Sequence, residues 1–392
     1  MDISRDETSF DEDLNAHGET ATDKDGVDTG VEPVTQAVSR IFPCQKCGAD
    51  VVFDIGAQKL KCPFCSYEQD LSAPTGELEE RDYHDMLETL SQRVQPNNLM
   101  GTLSELTCSS CGGTVVFEGA NTSTRCPFCA TPTQRDDVHD CPQRINADGV
   151  MPFQVDRKVV RERLSSWVKS LWFAPNDFKK RGVEGDFDGI YLPFWTFDSL
   201  TSNAYVGQRG ETYTVTVGSG DKKRTETRVR WYPASGQFQR FFDDVLILAG
   251  MGFPATLVNQ LAPWPLAKLR SFTEEVLAGF LASTYTVELD QGFSMARNVM
   301  AGEIESEVRQ RIGGDRQQID DIKTAHHAIK FKHILLPVWS MTYRYKGKVY
   351  TLVVNGATGK VAGNRPYSAW KIAFAVILGA IAVGIAVFLF NR

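Results

Sequence analysis

Met1 to Asp13 has no apolar core, so the chain opens without the hydrophobic segment of a secretory signal peptide. Hydrolase and nucleotide-binding signatures are missing as well. There is no G-x-S-x-G element, and Gly218-Ser219-Gly220-Asp221-Lys222-Lys223 lacks the spacing of a phosphate-binding Walker loop. A body charged with one sign is also missing. The net charge of -7 sits in residues 1–40, where eleven Asp/Glu face three Lys/Arg, which leaves the rest at about +1. A near-neutral body excludes a large electrostatic footprint for nucleic acid. Residues 1–40 hold a single aromatic, Phe10, and few large aliphatics. Such a segment cannot bury enough apolar surface to offset the entropy of ordering, and it reads as a disordered acidic tail.

Cysteine is paired. Residues 44–65 read CQKCGADVVFDIGAQKLKCPFC and residues 108–129 read CSSCGGTVVFEGANTSTRCPFC. Both follow C-x2-C-x14-C-x2-C, ten of twenty-two positions are identical, and the offset is 64 residues. Without an export signal, paired thiols point to metal rather than disulfides. Each C-x-x-C pair places two thiolates on one side of an ion, and the second pair completes a tetrahedron with Zn–S bonds of about 2.3 Å. The spacing predicts two structural Zn²⁺ ions, one on Cys44, Cys47, Cys62 and Cys65, the other on Cys108, Cys111, Cys126 and Cys129. Four protein ligands leave no position for water, so no catalytic role is expected of either ion. Gly48 and Gly112 suit a positive φ after the first knuckles; Pro63 and Pro127 stiffen the second ones. Val51-Val52-Phe53 and Val115-Val116-Phe117 are strand formers. Lys46, Lys59, Lys61 and Arg125 are expected to offset the thiolate charge. Cys141, beside Pro142, has no C-x-x-C partner and reads as an idle thiol.

Ile372 to Phe390 is nineteen residues without a charge or a hydrogen-bonding side chain, twelve of them Ile, Val, Leu or Phe. As a helix it is about 28 Å long, close to the hydrocarbon thickness of a bilayer. Lys360, Arg365 and Lys371 precede it and only Arg392 follows. The positive-inside rule then predicts a single-pass, tail-anchored protein of the inner (cytoplasmic) membrane with its bulk in the cytoplasm.

Between the cysteine repeats, Leu78, Tyr83, Met86, Leu87, Leu90 and Val94 share one helical face, ended by Pro96. Further on, Arg161 to Phe173, Phe272 to Leu281 and Ser294 to Ile312 read as helices. Tyr205 to Val217 and Thr225 to Trp231 read as a hairpin across Gly218–Asp221. Lys346-Gly347 and Asn355-Gly356 suit turns between later strands. IYLPFW (190–195) and ILLPVW (334–339) recur at an offset of 144, suggesting a duplicated helix-plus-sheet unit. The predicted class is α+β with an antiparallel sheet. The predicted division is an acidic tail (1–40), a first ribbon (41–72), a helical linker (73–104), a second ribbon (105–135), an α+β body (136–369) and a transmembrane helix (371–390). Trp195, Trp231, Trp264 and Trp339 are assigned to the core. His326, His327 and His333 carry no metal-motif spacing, and no catalytic residue is assigned.

The cysteine knuckles resemble the zinc ribbon of transcription factor IIB. Beyond them, WFAPND (172–177), YLPFWTFD (191–198), FDDVLI (242–247), LLPVW (335–339), VNGATGKVAG (354–363) and the terminal apolar run resemble a family of bacterial membrane-anchored zinc-ribbon proteins, often labelled primosomal protein N′ or superfamily II helicase. The chain has no nucleotide-binding motif to match the helicase label. Ser66 and Ala130 depart from the glycine that often follows a second knuckle. The resemblance implies work beside phage-shock or flotillin-like proteins in membrane stress. The expected function is therefore a non-enzymatic adaptor that binds proteins at the cytoplasmic membrane face. A nucleic-acid-binding or transcription-linked ribbon is the alternative, although the few basic residues and the lack of an aromatic stacking platform do not favour it.

Overall fold

Short strand-forming runs between cysteine pairs close into hairpins, and long alternating runs further on build one large sheet. The computed structural model describes residues 42–71, 78–92, 103–118, 126–129, 131, 138–140, 145–176, 178, 187–218, 223–345 and 348–390. The acidic tail, Arg125, Cys141, Ser219–Asp221 and Lys346-Gly347 lie outside the described residues. The first small sheet consists of β1 (Val52–Asp54), β2 (Lys59–Lys61) and β3 (Glu68–Gln69), paired antiparallel in that order. Next come β4 (Arg81–Asp82) and α1 (Tyr83–Gln92), whose start is capped by Asp82 accepting from the amides of His84 (2.8 Å) and Asp85 (3.1 Å). Strand β5 (Leu103–Thr107) then pairs antiparallel with both β6 (Thr114–Glu118) and β7 (Val138–Asp140).

The body follows as β8 (Gly149–Val150), α2 (Arg157–Ser170), β9 (Asp188–Val217), β10 (Arg224–Leu248), α3 (Ala255–Asn259), β11 (Arg270–Ser271), β12 (Leu281–Ser283), α4 (Leu289–Ile312), β13 (Arg316–Tyr345), β14 (Lys348–Asn355), β15 (Val361–Gly363) and α5 (Ala369–Phe390). The protein is thus mixed α+β, with mainly antiparallel pairing around β9 and β13. Two sequence expectations are corrected. Phe272 to Leu281 is not a helix: it makes one 3₁₀ turn, Glu274–Leu277, between extended strands. Gly279 at φ +83 ends that turn, and Val276, Leu277 and Ala278 are buried against the first ribbon. Trp231 is not core; it is exposed, whereas Trp195 and Trp339 are fully buried.

Residues 189–199 of β9 are buried without alternation, because β9 has neighbours on both edges and layers on both faces. Pro193 and Pro337 sit in these central strands, where a missing N–H would ordinarily break the ladder. The β10 ladder ends at Leu248↔Phe194 and the β14 ladder at Asn355↔Val338, one residue short of each proline. Each proline therefore lies where its hairpin partner has turned away. Helix α4 lies against β9, β10 and β13 through Phe293, Ala296, Met300, Ile304, Val308 and Ile312, spaced three and four apart.

The two LPxW segments lie opposite each other. Leu192 pairs with Leu336, flanked by Ile190↔Val338 and Phe194↔Ile334. The contacts around one copy recur around the other. Trp195 Nε1 donates to Val287 O at 2.8 Å and Trp339 Nε1 to Val155 O at 2.8 Å. Pro193 O accepts from Ala249 N (2.9 Å) and Pro337 O from Gly356 N (2.8 Å). Tyr285 packs on Trp195 with ring centroids 4.9 Å apart, and Phe153 on Trp339 at 4.8 Å. The elements are exchanged: β8, which precedes β9, pairs with β13, while β12, which precedes β13, pairs with β9. At the far end of the chain, α5 has no buried residue.

Candidate metal centres

Each cysteine pair is shaped by the same backbone hairpin. The amide of Cys44 donates to Ala49 O (2.7 Å), Cys62 to Tyr67 O (2.9 Å), Cys108 to Gly113 O (2.9 Å) and Cys126 to Thr131 O (2.9 Å). The return amide donates to the carbonyl of the first cysteine: Gly48 N to Cys44 O (2.8 Å), Ser66 N to Cys62 O (3.0 Å) and Gly112 N to Cys108 O (2.8 Å). That turn requires a left-handed residue, and Gly48, Gly112 and Ser66 have φ of 73, 70 and 57°.

The turns gather the sulfurs as the spacing predicts. Sγ atoms of Cys44 and Cys65 are 3.6 Å apart, as are those of Cys47 and Cys62. In the second ribbon Cys108–Cys129 and Cys111–Cys126 are each at 3.7 Å. A tetrahedron with Zn–S bonds of about 2.3 Å has edges of about 3.8 Å. All four sulfurs of each set lie within 4.8 Å of one another. None of the eight is in a disulfide. Both sets fit a structural zinc ion by ligand type, number and separation.

Backbone amides supply much of the local charge compensation. Those of Lys46 and Cys47 bond the Cys44 sulfur, those of Phe64 and Cys65 the Cys62 sulfur, and those of Ser110 and Cys111 the Cys108 sulfur. The Cys65 amide, above all, holds the Cys62 thiol down at about 7. Cys111 is held down at about 5, chiefly by the thiol of Cys126, which donates to it and is itself pushed up. Of the lysines expected to offset the thiolates, Lys59 pairs with Asp70 at 2.7 Å and Lys61 with Glu68 at 3.7 Å. The amide donors were not foreseen from the sequence, although a C-x-x-C-G turn implies them.

Both ribbons share core with the body. In the first, Phe53 N donates to Ala278 O (3.0 Å), and Phe53 and Phe280 rings are 6.4 Å apart. Gln58 Nε2 donates to Phe153 O at 2.8 Å. In the second, β6 pairs with β12 through Val115↔Ser283 and Val116↔Ala282. Phe128 stands edge-on to Phe253 at 5.0 Å, and its carbonyl accepts from Thr342 Oγ1 at 3.1 Å. Gly113 and Gly252 have no room for a Cβ beside that ring. The three histidines do not converge. His333 is buried with Nδ1 3.0 Å from Ile145 O, His326 Nδ1 is 3.3 Å from Ser199 Oγ, and His327 is exposed.

Among the described residues, fold and sites define an α+β protein carrying two closed four-cysteine centres compatible with zinc ribbons and one helix long and apolar enough to cross a membrane. The uncharacterized protein YdjG of Bacillus subtilis (strain 168) is 26% identical to it over 225 residues, which is 57% of this chain and 65% of that protein. The chain thus spans somewhat less than two thirds of that relative's length. No protein-family profile and no solved structure matches the chain.

Proposed function

We propose that this chain is a non-enzymatic, single-pass membrane adaptor of the zinc-ribbon family that it resembles, with its ribbons and body in the cytoplasm and its partners proteins at the inner membrane. The observation that carries the reading is the joining of each closed metal centre to a hydrophobic cluster of the body. Cys44 and Cys62 of the first ribbon and Cys108 and Cys126 of the second are buried with body residues, so the metals brace a scaffold instead of facing a substrate. The apolar α5 supplies the anchor, and Arg365 and Lys371 at its start favour a cytoplasmic body. Tyr213 and Tyr232, exposed on one face of the β9–β10 hairpin, offer the aromatic surface that protein interfaces favour. By the same reading the body is a duplicated unit, and phage-shock or flotillin-like proteins are the first partners to look for.

The test is proximity labelling of the full chain in its native membrane, beside a Tyr213→Ala/Tyr232→Ala variant with unchanged zinc content. The expected result is a set of protein neighbours that the variant loses. Recovery of nothing above background by the wild type would overturn the adaptor reading. Micromolar binding of nucleic acid with a steep salt slope would replace it with the nucleic-acid alternative.

A further inference from the structure

Beyond anchoring by α5, the body itself carries a surface placed to lie in the bilayer. Chain from the end of α2 runs Leu171-Trp172-Phe173-Ala174-Pro175-Asn176. Its small and aliphatic members turn inward: Leu171 and Ala174 are buried in the core shared with the first ribbon, together with Phe178. The two aromatics turn outward, Phe173 partly and Trp172 with 72% of its surface exposed. Backbone bonds from Leu171 N to Val168 O (3.2 Å) and Ala174 N to Leu171 O (3.1 Å) hold that arrangement.

The same stretch is fastened to the start of α5. Ser368 N donates to Phe173 O at 2.8 Å. Lys371 Nζ reaches back to Ala174 O at 2.8 Å and to Asn176 Oδ1 at 2.7 Å. Trp370, exposed to 79%, and Tyr367, exposed to 59%, stand at this junction. Two indoles, a phenol and a phenyl ring therefore gather, from separate parts of the chain, around the point where the apolar helix leaves the body. Indoles and phenols with an apolar ring and a polar edge concentrate at the headgroup level of bilayers. The apolar run begins at Ile372, so Trp370 and Lys371 fall at that level, and the bonds from Ser368 and Lys371 fasten the residues directly after Trp172 beside them.

We propose that Trp172 and Phe173, together with Tyr367 and Trp370, form a membrane-seating surface that inserts into the interfacial layer of the phospholipid bilayer. The body then rests on the membrane at the C-terminal end of α2 instead of swinging from α5. This inference rests on the reading of α5 as a membrane span.

The test is fluorescence of the full chain in vesicles of phosphatidylcholine and phosphatidylglycerol, with and without bromine on the acyl chains. Wild type is compared with Trp172→Phe and Trp370→Phe, and each indole's emission is taken as the difference between wild type and variant. Both positions are exposed, so both variants are expected to keep two zinc ions. The expected result is that bromine lowers the emission of Trp172 and of Trp370 alike, by about twofold or more, as for indoles at headgroup depth. Quenching of Trp370 without quenching of Trp172 would overturn the seating surface and leave the span intact. Quenching of neither would overturn the span, and the seating surface with it.

Discussion

Asp198 is 4% exposed, and burial pushes its carboxyl up to about 6, with Glu80 adding to the rise. The Asp244 amide, bonded to Oδ1 at 2.7 Å, pulls the other way. Beside it Lys332 bridges Glu80 (3.0 Å) and Asp244 (2.9 Å). A carboxyl raised above its unfolded value of about 4 holds more protons in the folded state across that window. Its contribution is therefore most favourable below about pH 4 and is lost as pH climbs through about 6. Asp198→Asn keeps the acceptor for Asp244 and removes the charge. It is expected to stabilise the protein by about 1–2 kcal/mol above pH 7 and to flatten the profile between about pH 4 and 6. Denaturant unfolding in detergent across that range checks it, and an unchanged slope would show that Asp198 is ionised at little cost. Ser66 offers a second residue-level check. A side chain at φ 57 costs about 1 kcal/mol that glycine avoids. Ser66→Gly is accordingly expected to slow zinc loss from the first ribbon to a chelator, and faster loss would contradict it. The metal ligands and the left-handed Gly48 and Gly112 were legible in the sequence, because a C-x-x-C-G turn admits few conformations. Asp198 was not, because the burial of its carboxylate depends on β4, β9, β10 and β13 meeting at β-bulges that leave no local signal.

The ribbons act as elements of the body, so their metal should be felt beyond the knuckles. Cys111→Ser is expected to lose one of two zinc equivalents and to lower the unfolding midpoint of the whole body, since Cys108 and Cys126 share a core with Phe128 and Phe253. A structural ion contributes about 10–16 kcal/mol to such small modules. Acidification should release zinc in the same sense, because every ligand must be a bare thiolate. Zinc loss that leaves the midpoint unmoved would mean that the ribbons fold apart from the sheet. The exchanged pairing of β8 with β13 and β12 with β9 makes a sharper comparison. Trp195→Phe and Trp339→Phe each remove one indole hydrogen bond of 2.8 Å to an equivalent carbonyl, and each should cost about 1 kcal/mol. Costs differing several-fold would show that the two halves are not energetic equivalents. The hairpins were visible from alternation, yet β9 and β10 run far beyond the stretches that alternate. Ile190–Trp195 is apolar on both faces, and an unbroken apolar run does not announce a strand. Phe272–Leu281 misled for a related reason: its apolar spacing suits a helix, but those side chains are buried against the first ribbon, some 220 residues earlier in the chain.

For the molecule as a whole, an exposed α5 of 22 residues, about 33 Å long, fits a bilayer core of about 30 Å. The full chain is expected to sediment with membranes after carbonate washing and to need detergent for release; recovery in the soluble fraction would remove the span. The α+β class followed from the order of helical and alternating segments. The exchange of elements did not, since a sequence repeat fixes likeness between two segments and says nothing of which copy each pairs with. The antiparallel meeting of Leu192 with Leu336 has a consequence of its own. Any polypeptide holding only one half would offer its own twin the edge and the waiting carbonyl that the other half now provides. It would be a symmetric homodimer, assembling only when concentrated enough. Because both segments lie on one chain, each meets the other at an effective concentration in the millimolar range, and their association does not depend on dilution.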